Sequence, residues 1–357
     1  MGFLCEDVGY LVGDVGLTSF IITPLCAFFF HGAWLLFDLL LLPVQSNLSL
    51  MLQIFVALLY MVTCNSTADR LDQVANIEQS NKTVVITKLY YYVAAVVVVC
   101  IWRGIWGILD LNIETSLVLK PIVGLLSLVV LIVSRNVSNL IFPPGRISQD
   151  KQTEPFHVFH SRLQSQACTC RNTFKCFMIY VIDIIVSYGF INTSYAAVWW
   201  TAFTCEDELL FPDNIKLSAT VCVIYGYVTY LIQLPIRAMI MRVSFDQIDN
   251  SFYLKLFLYQ FLNISFSFST MNIWRGILNL SDVYIYPETV WKRAVILHVL
   301  GSMGLAFLGV SRSMAVVKFE DDGDVQCLQR NKFLQLQMRR DVVHQEEETF
   351  SLLNLEK

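Results

Sequence analysis

Ten residues, IWRGIWGILD (Ile101 to Asp110), return as IWRGILNLSD (Ile273 to Asp282), each inside a long apolar stretch. Both copies carry an arginine where hydrocarbon is expected, and both end in an aspartate seven residues further on. A charged side chain near the centre of a bilayer costs roughly 2.5–3.5 kcal/mol on insertion scales. A chain that accepts this twice, in one motif, needs Arg103 and Arg275 either for assembly or for function.

The surroundings are those of a membrane protein. Of 357 residues 55% are hydrophobic and 15% charged, whereas soluble domains carry about 25% charge. A membrane span takes about 20 mostly apolar residues, and eight windows read as spans. The first four are Leu11 to Leu42, Leu50 to Cys64, Leu89 to Leu109 and Leu117 to Val133. The second four are Phe177 to Phe203, Ala219 to Ile240, Phe252 to Leu278 and Val290 to Val310. No cleavable signal peptide is read at the N-terminus, which carries Glu6, Asp7 and Asp14, so the first span is expected to serve as its own insertion signal. Between spans four and five lie Arg135, Arg146, Lys151, Arg162, Arg171 and Lys175; between spans five and six lie Glu206, Asp207, Glu208 and Asp213. The positive-inside rule places the basic loop, and with it both termini, in the cytoplasm.

The duplication extends beyond the motif. Asp38, Pro43 and Leu48-Ser49 match Asp207, Pro212 and Leu217-Ser218 in spacing; Lys120 follows Arg103 as Lys292 follows Arg275; VSR closes spans four and eight. This order describes an all-α polytopic fold of eight transmembrane helices in two parallel four-helix repeats. An even span number gives both repeats the same orientation about an axis along the membrane normal. The expected divisions are 1–134 for the first repeat, 135–175 for a basic cytoplasmic linker, 176–312 for the second repeat and 313–357 for a polar cytoplasmic tail.

Within one helix, seven residues separate Arg103 from Asp110 by about 10.5 Å along a shared face, too far for a direct ion pair. Each arginine therefore needs a partner from elsewhere: Asp38, Asp183, His31, the opposite half's aspartate (Asp110 or Asp282), backbone carbonyls, water or a ligand. Trp102 and Trp274 stand beside the guanidiniums and offer cation–π faces. Gly104 and Gly276 admit a close neighbouring helix. Two readings remain open. The charges form an internal ion-pair lattice locking the halves together, or two arginines line an axial polar cavity that receives an anionic substrate or lipid head group.

Other signals are weaker. P-loop, GxGxxG, HExxH and GxSxG signatures are missing, which argues against an enzyme, and nothing supports nucleic-acid binding. His157 and His160 with Cys168, Cys170 and Cys176 make an HxxH…CxC group, but the CxC spacing departs from a zinc knuckle, and no metal or cofactor is expected. Glu348, Leu352 and Leu353 fit an acidic dileucine sorting motif of the kind cytosolic adaptors read.

The duplicated IWRGI segments, the WLLFDLLLLP end of the first span and the eight-span layout resemble the fuseless family of multi-pass membrane proteins. The resemblance implies a presynaptic plasma-membrane protein that helps place voltage-gated calcium channels and so supports synaptic transmission. It carries no established catalytic or transport residue. Membrane lipids, calcium-channel subunits and cytosolic adaptors are the expected partners. The rival reading is a secondary transporter or lipid-handling protein that binds an anion at Arg103 and Arg275.

Overall fold

The polar turns between the apolar runs separate helices. A computed structural model describes residues 13–40, 47–77, 81–113, 118–150, 156–160, 173–247, 252–315 and 317–318. The helices are α1 (Gly13–Leu40), α2 (Asn47–Ile77), α3 (Asn81–Ile113), α4 (Leu119–Val133), α5 (173–209), α6 (Ile215–Gln247), α7 (Phe252–Tyr284), α8 (Val290–Phe307) and the short α9 (Arg312–Ala315). The strand pairing found among the described residues is a two-residue parallel bridge of Phe159 and His160 with Val317 and Lys318.

The odd-numbered helices form a closed inner ring: α1 packs on α3, α3 on α5, α5 on α7 and α7 on α1. Each is backed by an even-numbered helix. α2 backs α3 and α6 backs α7, whereas α4 covers α5 and α8 covers α1, so the fourth helix of each half packs on the first helix of the other. The chain beyond each fourth helix continues the exchange: a 3-10 turn at Val137–Leu140 packs on α7, and α9 packs on α3.

Among the described residues six helices are long and apolar enough to cross a membrane; α4 is apolar but has only 15 residues, about 22 Å of helix against a hydrocarbon core of about 30 Å. α7 falls outside the six because Asn263, Ser267, Ser269, Thr270, Asn272 and Arg275 interrupt it. All of these are buried among protein neighbours, where lipid imposes no demand for an apolar surface. By contrast, Met51, Leu52, Phe55, Val56 and Leu59 of the outer α2 are exposed, an apolar face suited to acyl chains.

Residues 136–150, expected in a cytoplasmic linker, instead enter the bundle. Asn136, Val137, Leu140 and Ile141 are buried, and Tyr230 donates its hydroxyl to the Pro144 carbonyl. The reason is compositional: Val137 to Gly145 contains no charge and only two side-chain amide or hydroxyl groups, Ser138 and Asn139. Non-helical backbone at such depth is tolerated when protein surrounds it. The two VSR segments are also not structural counterparts. α4 closes with Arg135 at φ 56° and Asn136 N–H donating to Leu131 O, and α8 closes with Gly309 at φ 66° and Val310 N–H donating to Leu305 O. Arg135 therefore corresponds to Gly309, three residues before Arg312.

One more feature repeats. α1 contains a π-helical segment at Thr18–Ile22 and α5 one at Ile185–Ile191. Both end 169 positions apart, the spacing that separates Asp38 from Asp207.

Candidate functional site

Each motif arginine is held inside its own half. Arg103 on α3 is 3% exposed, and its Nε and Nη2 both lie 2.7 Å from Asp38 Oδ1 of α1. Its Nη1 donates to Gln53 Oε1 of α2 at 2.8 Å. Arg275 on α7 is 2% exposed; Nε and Nη2 donate to Asp207 Oδ1 of α5 at 3.0 and 2.6 Å. Its remaining donors reach Ser218 Oγ at 3.0 Å and Cys222 Sγ at 2.9 Å on α6, with Glu206 Oε2 at 3.7 Å. Gln53 and Cys222 occupy equivalent places, as do Ser49 and Ser218, all separated by the same 169 positions. The two locks share a geometry even though one uses an amide where the other uses a thiol and a hydroxyl.

The glycine after each arginine makes these pairings possible. A Cβ on Gly104 would meet Ile54 Cγ1 at 2.6 Å and Leu50 O at 3.1 Å; on Gly276 it would meet Val223 Cγ2 at 2.5 Å and Ala219 O at 2.8 Å. These again are matched positions on α2 and α6. Close backbone approach lets each guanidinium reach across two helices.

The motif aspartates do different work, joining the halves. Asp110 Oδ1 accepts from Trp200 Nε1 of α5 at 2.6 Å. Asp282 Oδ1 lies 2.7 Å from His31 Nε2 of α1 and 3.1 Å from Arg293 Nε of α8. Trp200 and His31 are once more 169 positions apart. A further ion pair, Lys120 of α4 with Glu208 Oε1 of α5, crosses the same boundary. Neither motif aspartate is the partner of a motif arginine.

Asp183 is not an arginine partner within the site either. It is 1% exposed on α5 and accepts from Ser187 Oγ at 3.0 Å. Sixteen residues separate it from Trp199, about 24 Å of helix, which places it near the opposite end of the bundle from both locks.

The tryptophans do not cap the guanidiniums. They meet at the centre of the inner ring, where Phe30, Trp102, Trp199 and Trp274, one from each odd helix, form a closed square. Its four edges measure 5.9 Å (Phe30–Trp102), 5.8 Å (Trp102–Trp199), 5.9 Å (Trp199–Trp274) and 5.9 Å (Trp274–Phe30), with interplanar angles of 76–87°. Such edge-to-face contacts are each worth about 0.5–1.5 kcal/mol beyond area burial. One turn on, Trp34, Trp106 and Phe203 make a second layer, with Trp34–Trp106 at 5.7 Å and Trp106–Phe203 at 5.5 Å. Each is four residues beyond its counterpart in the square, so α1, α3 and α5 run in the same direction.

The entering linker closes the other side of the square. Phe142 sits 5.4 Å from Trp102, 5.1 Å from Trp199 and 5.7 Å from Trp274. Trp199 Nε1 donates to Leu140 O at 3.2 Å and Trp274 Nε1 to Pro143 O at 2.6 Å. Arg103 and Arg275 therefore do not converge on an axial polar cavity; aromatic rings occupy that place.

Beyond the plug, Asp150 Oδ1 accepts from the Arg312 backbone N–H at 2.9 Å. Burial pushes the Asp150 carboxyl above the ordinary carboxylate range, and the Arg312 amide and Lys88 pull it partly back. His157 lies 3.0 Å from Asp69 and 3.1 Å from Asp72. No group of three potential metal ligands occurs among the described residues. Cys168, Cys170, Glu348, Leu352 and Leu353 lie outside them, as do the side chains of His160 and Cys176.

The locks, square and plug all fall within residues 9–315, the stretch that the Fuseless family model matches. The chain belongs to the Fuseless family. No curated protein and no solved structure is detectably similar to it. Several Fuseless site residues escape reading from the motif alone. Asp207, Ser218 and Cys222 are reachable by adding the repeat spacing to Asp38, Ser49 and Gln53, whereas Phe142 carries no repeat signal.

Proposed function

We propose that this Fuseless protein is a non-enzymatic, eight-span membrane scaffold of two parallel repeats related by a two-fold axis through the aromatic square. It acts at the presynaptic plasma membrane, with both termini cytoplasmic, and supports synaptic transmission by organising voltage-gated calcium channels. The observation that carries the scaffold reading is the closed axis. Every costly charge of the motif is consumed by an internal partner, and rings and linker fill the position where a transporter places its substrate. Membership of the family supports the synaptic part.

Two measurements test this. Purification from neurons recovers calcium-channel subunits with the full chain, and liposomes containing the chain alone show no anion uptake above empty vesicles. Recovery of no channel subunit, together with an anion flux abolished by Arg103→Lys and Arg275→Lys in folded protein, reverses the reading in favour of a transporter or lipid-handling protein.

A further inference from the structure

The two locks differ in charge at one position. Glu206 stands immediately before Asp207 on α5, and the residue at the equivalent place, immediately before Asp38 on α1, is Phe37. The second lock thus sets two carboxylates against one guanidinium, where the first sets one. Glu206 lies beyond the apolar run that ends at Phe203, yet its side chain is only 13% exposed, whereas that of Asp207 is 58% exposed.

The guanidinium is not shared equally. Asp207 Oδ1 takes Nε at 3.0 Å and Nη2 at 2.6 Å, and Ser218 and Cys222 take further donors, while Glu206 Oε2 stands 3.7 Å from Nε. The other groups that meet Glu206 are the Cys222 thiol of α6, 3.9 Å from Oε2, and the Asn272 amide of α7. Further charges at this end are engaged elsewhere: Lys120 of α4 with Glu208, Lys216 of α6 over the Tyr284 ring at 5.9 Å, and Asp110 of α3 with Trp200. Two neighbouring carboxylates facing one cation do not both ionise easily, and the more buried, less well bonded of the pair keeps its proton. Burial pushes the Glu206 carboxyl up to about 7; Arg275 pulls against this, and the Asp207 charge adds to it.

We infer that Glu206 is a proton-binding site that makes the second lock respond to pH. With the proton bound, Asp207 alone engages Arg275 closely, as the distances show. As the proton leaves, a second anion competes for the same guanidinium, the hold of Asp207 weakens, and the junction of α5 with α7 loosens. Because the folded chain holds this proton more tightly than the unfolded one, the stability it contributes is complete below the ordinary glutamate range. That stability is lost as the pH rises through about 7. The first lock, with Phe37 in that place, lacks the titrating group.

The test measures thermal unfolding of the full chain in detergent from about pH 5 to about pH 8, comparing wild type with Glu206→Gln, a neutral side chain of the same shape. Titrating groups common to both chains, Asp150 among them, cancel in the difference. The unfolding temperature of Glu206→Gln is expected to gain on that of wild type by at least about 2 °C as the pH rises across this range. An independent reading comes from wild type labelled with carbon-13 at its glutamate side-chain carboxyls. Its infrared band of protonated carboxyl should persist at about pH 6, where ordinary glutamates are ionised, and fade by about pH 8; Glu206→Gln should lack it. If Glu206→Gln does not fold, the infrared titration of wild type decides. A temperature difference that stays constant across the range, or no protonated glutamate band at about pH 6, overturns the inference.

Discussion

Arg103 spends three of its donors on two helices, Nε and Nη2 on Asp38 and Nη1 on Gln53. A lysine there keeps the charge but presents a point donor on a flexible stem, leaving the Gln53 carbonyl and Asp38 competing for it. Arg103→Lys is expected to lower stability by about 1–3 kcal/mol, the cost of a buried polar group losing its partner, read as a shifted unfolding transition in detergent. Because Asp38 acts through this arginine, adding Asp38→Asn to Arg103→Lys should cost less than the two single losses combined. Full additivity would mean that the pair is not coupled. A second expectation concerns the square. Trp274→Phe retains an aromatic edge but strands the Pro143 carbonyl, and should destabilise by about 1–3 kcal/mol, with a reduced near-ultraviolet circular dichroism signal. An unchanged spectrum and transition would remove the linker carbonyl from any role in holding the plug.

At the scale of the helices, close approach is confined to particular glycines. A Cβ on Gly301 of α8 would stand 2.4 Å from the Phe29 backbone nitrogen of α1, and one on Gly276 would stand 2.8 Å from the Ala219 carbonyl. Backbone cannot give way as a flexible side chain can, so Gly301→Ala and Gly276→Ala should each cost about 1–3 kcal/mol by overpacking. Gly16→Ala is the internal control, since nothing lies within 4 Å of its Cβ position. There the helix propensity of alanine should leave stability unchanged or raise it by up to about 1 kcal/mol. Equal losses at all three sites, measured by thermal unfolding, would dissociate stability from helix spacing. These glycines also mark what could be read from the chain in advance. The pairing of Gly104 and Gly276 with a neighbouring helix was visible because each follows an arginine in a duplicated motif. Gly301 and Gly32 lie outside the motif, and their partners belong to the other half, which periodicity cannot reveal.

For the molecule as a whole, the duplicated motif, the helix positions and the matching of Asp38 with Asp207 were legible in the residues themselves. The exchange of fourth helices was not, because spacing along one chain does not say which bundle a helix completes. Nor was the buried linker: its length and basic flanks, Arg135 and Arg146, read as a surface loop, and the uncharged run between them was the overlooked cue. The exchange has a direct test. A protease site placed within residues 161–172 and then cleaved should leave two fragments that co-elute in mild detergent, since α4 holds α5 and α8 holds α1. Separation on cleavage would show that the halves stand alone. The same exchange constrains how the protein is made. α1 is translated well before α8, the helix that covers Gly32 and Phe29, so nascent chains carry an unfinished seam until α8 has been made. Membrane quality control should therefore degrade any product terminated ahead of residue 290, however well its earlier segments have inserted.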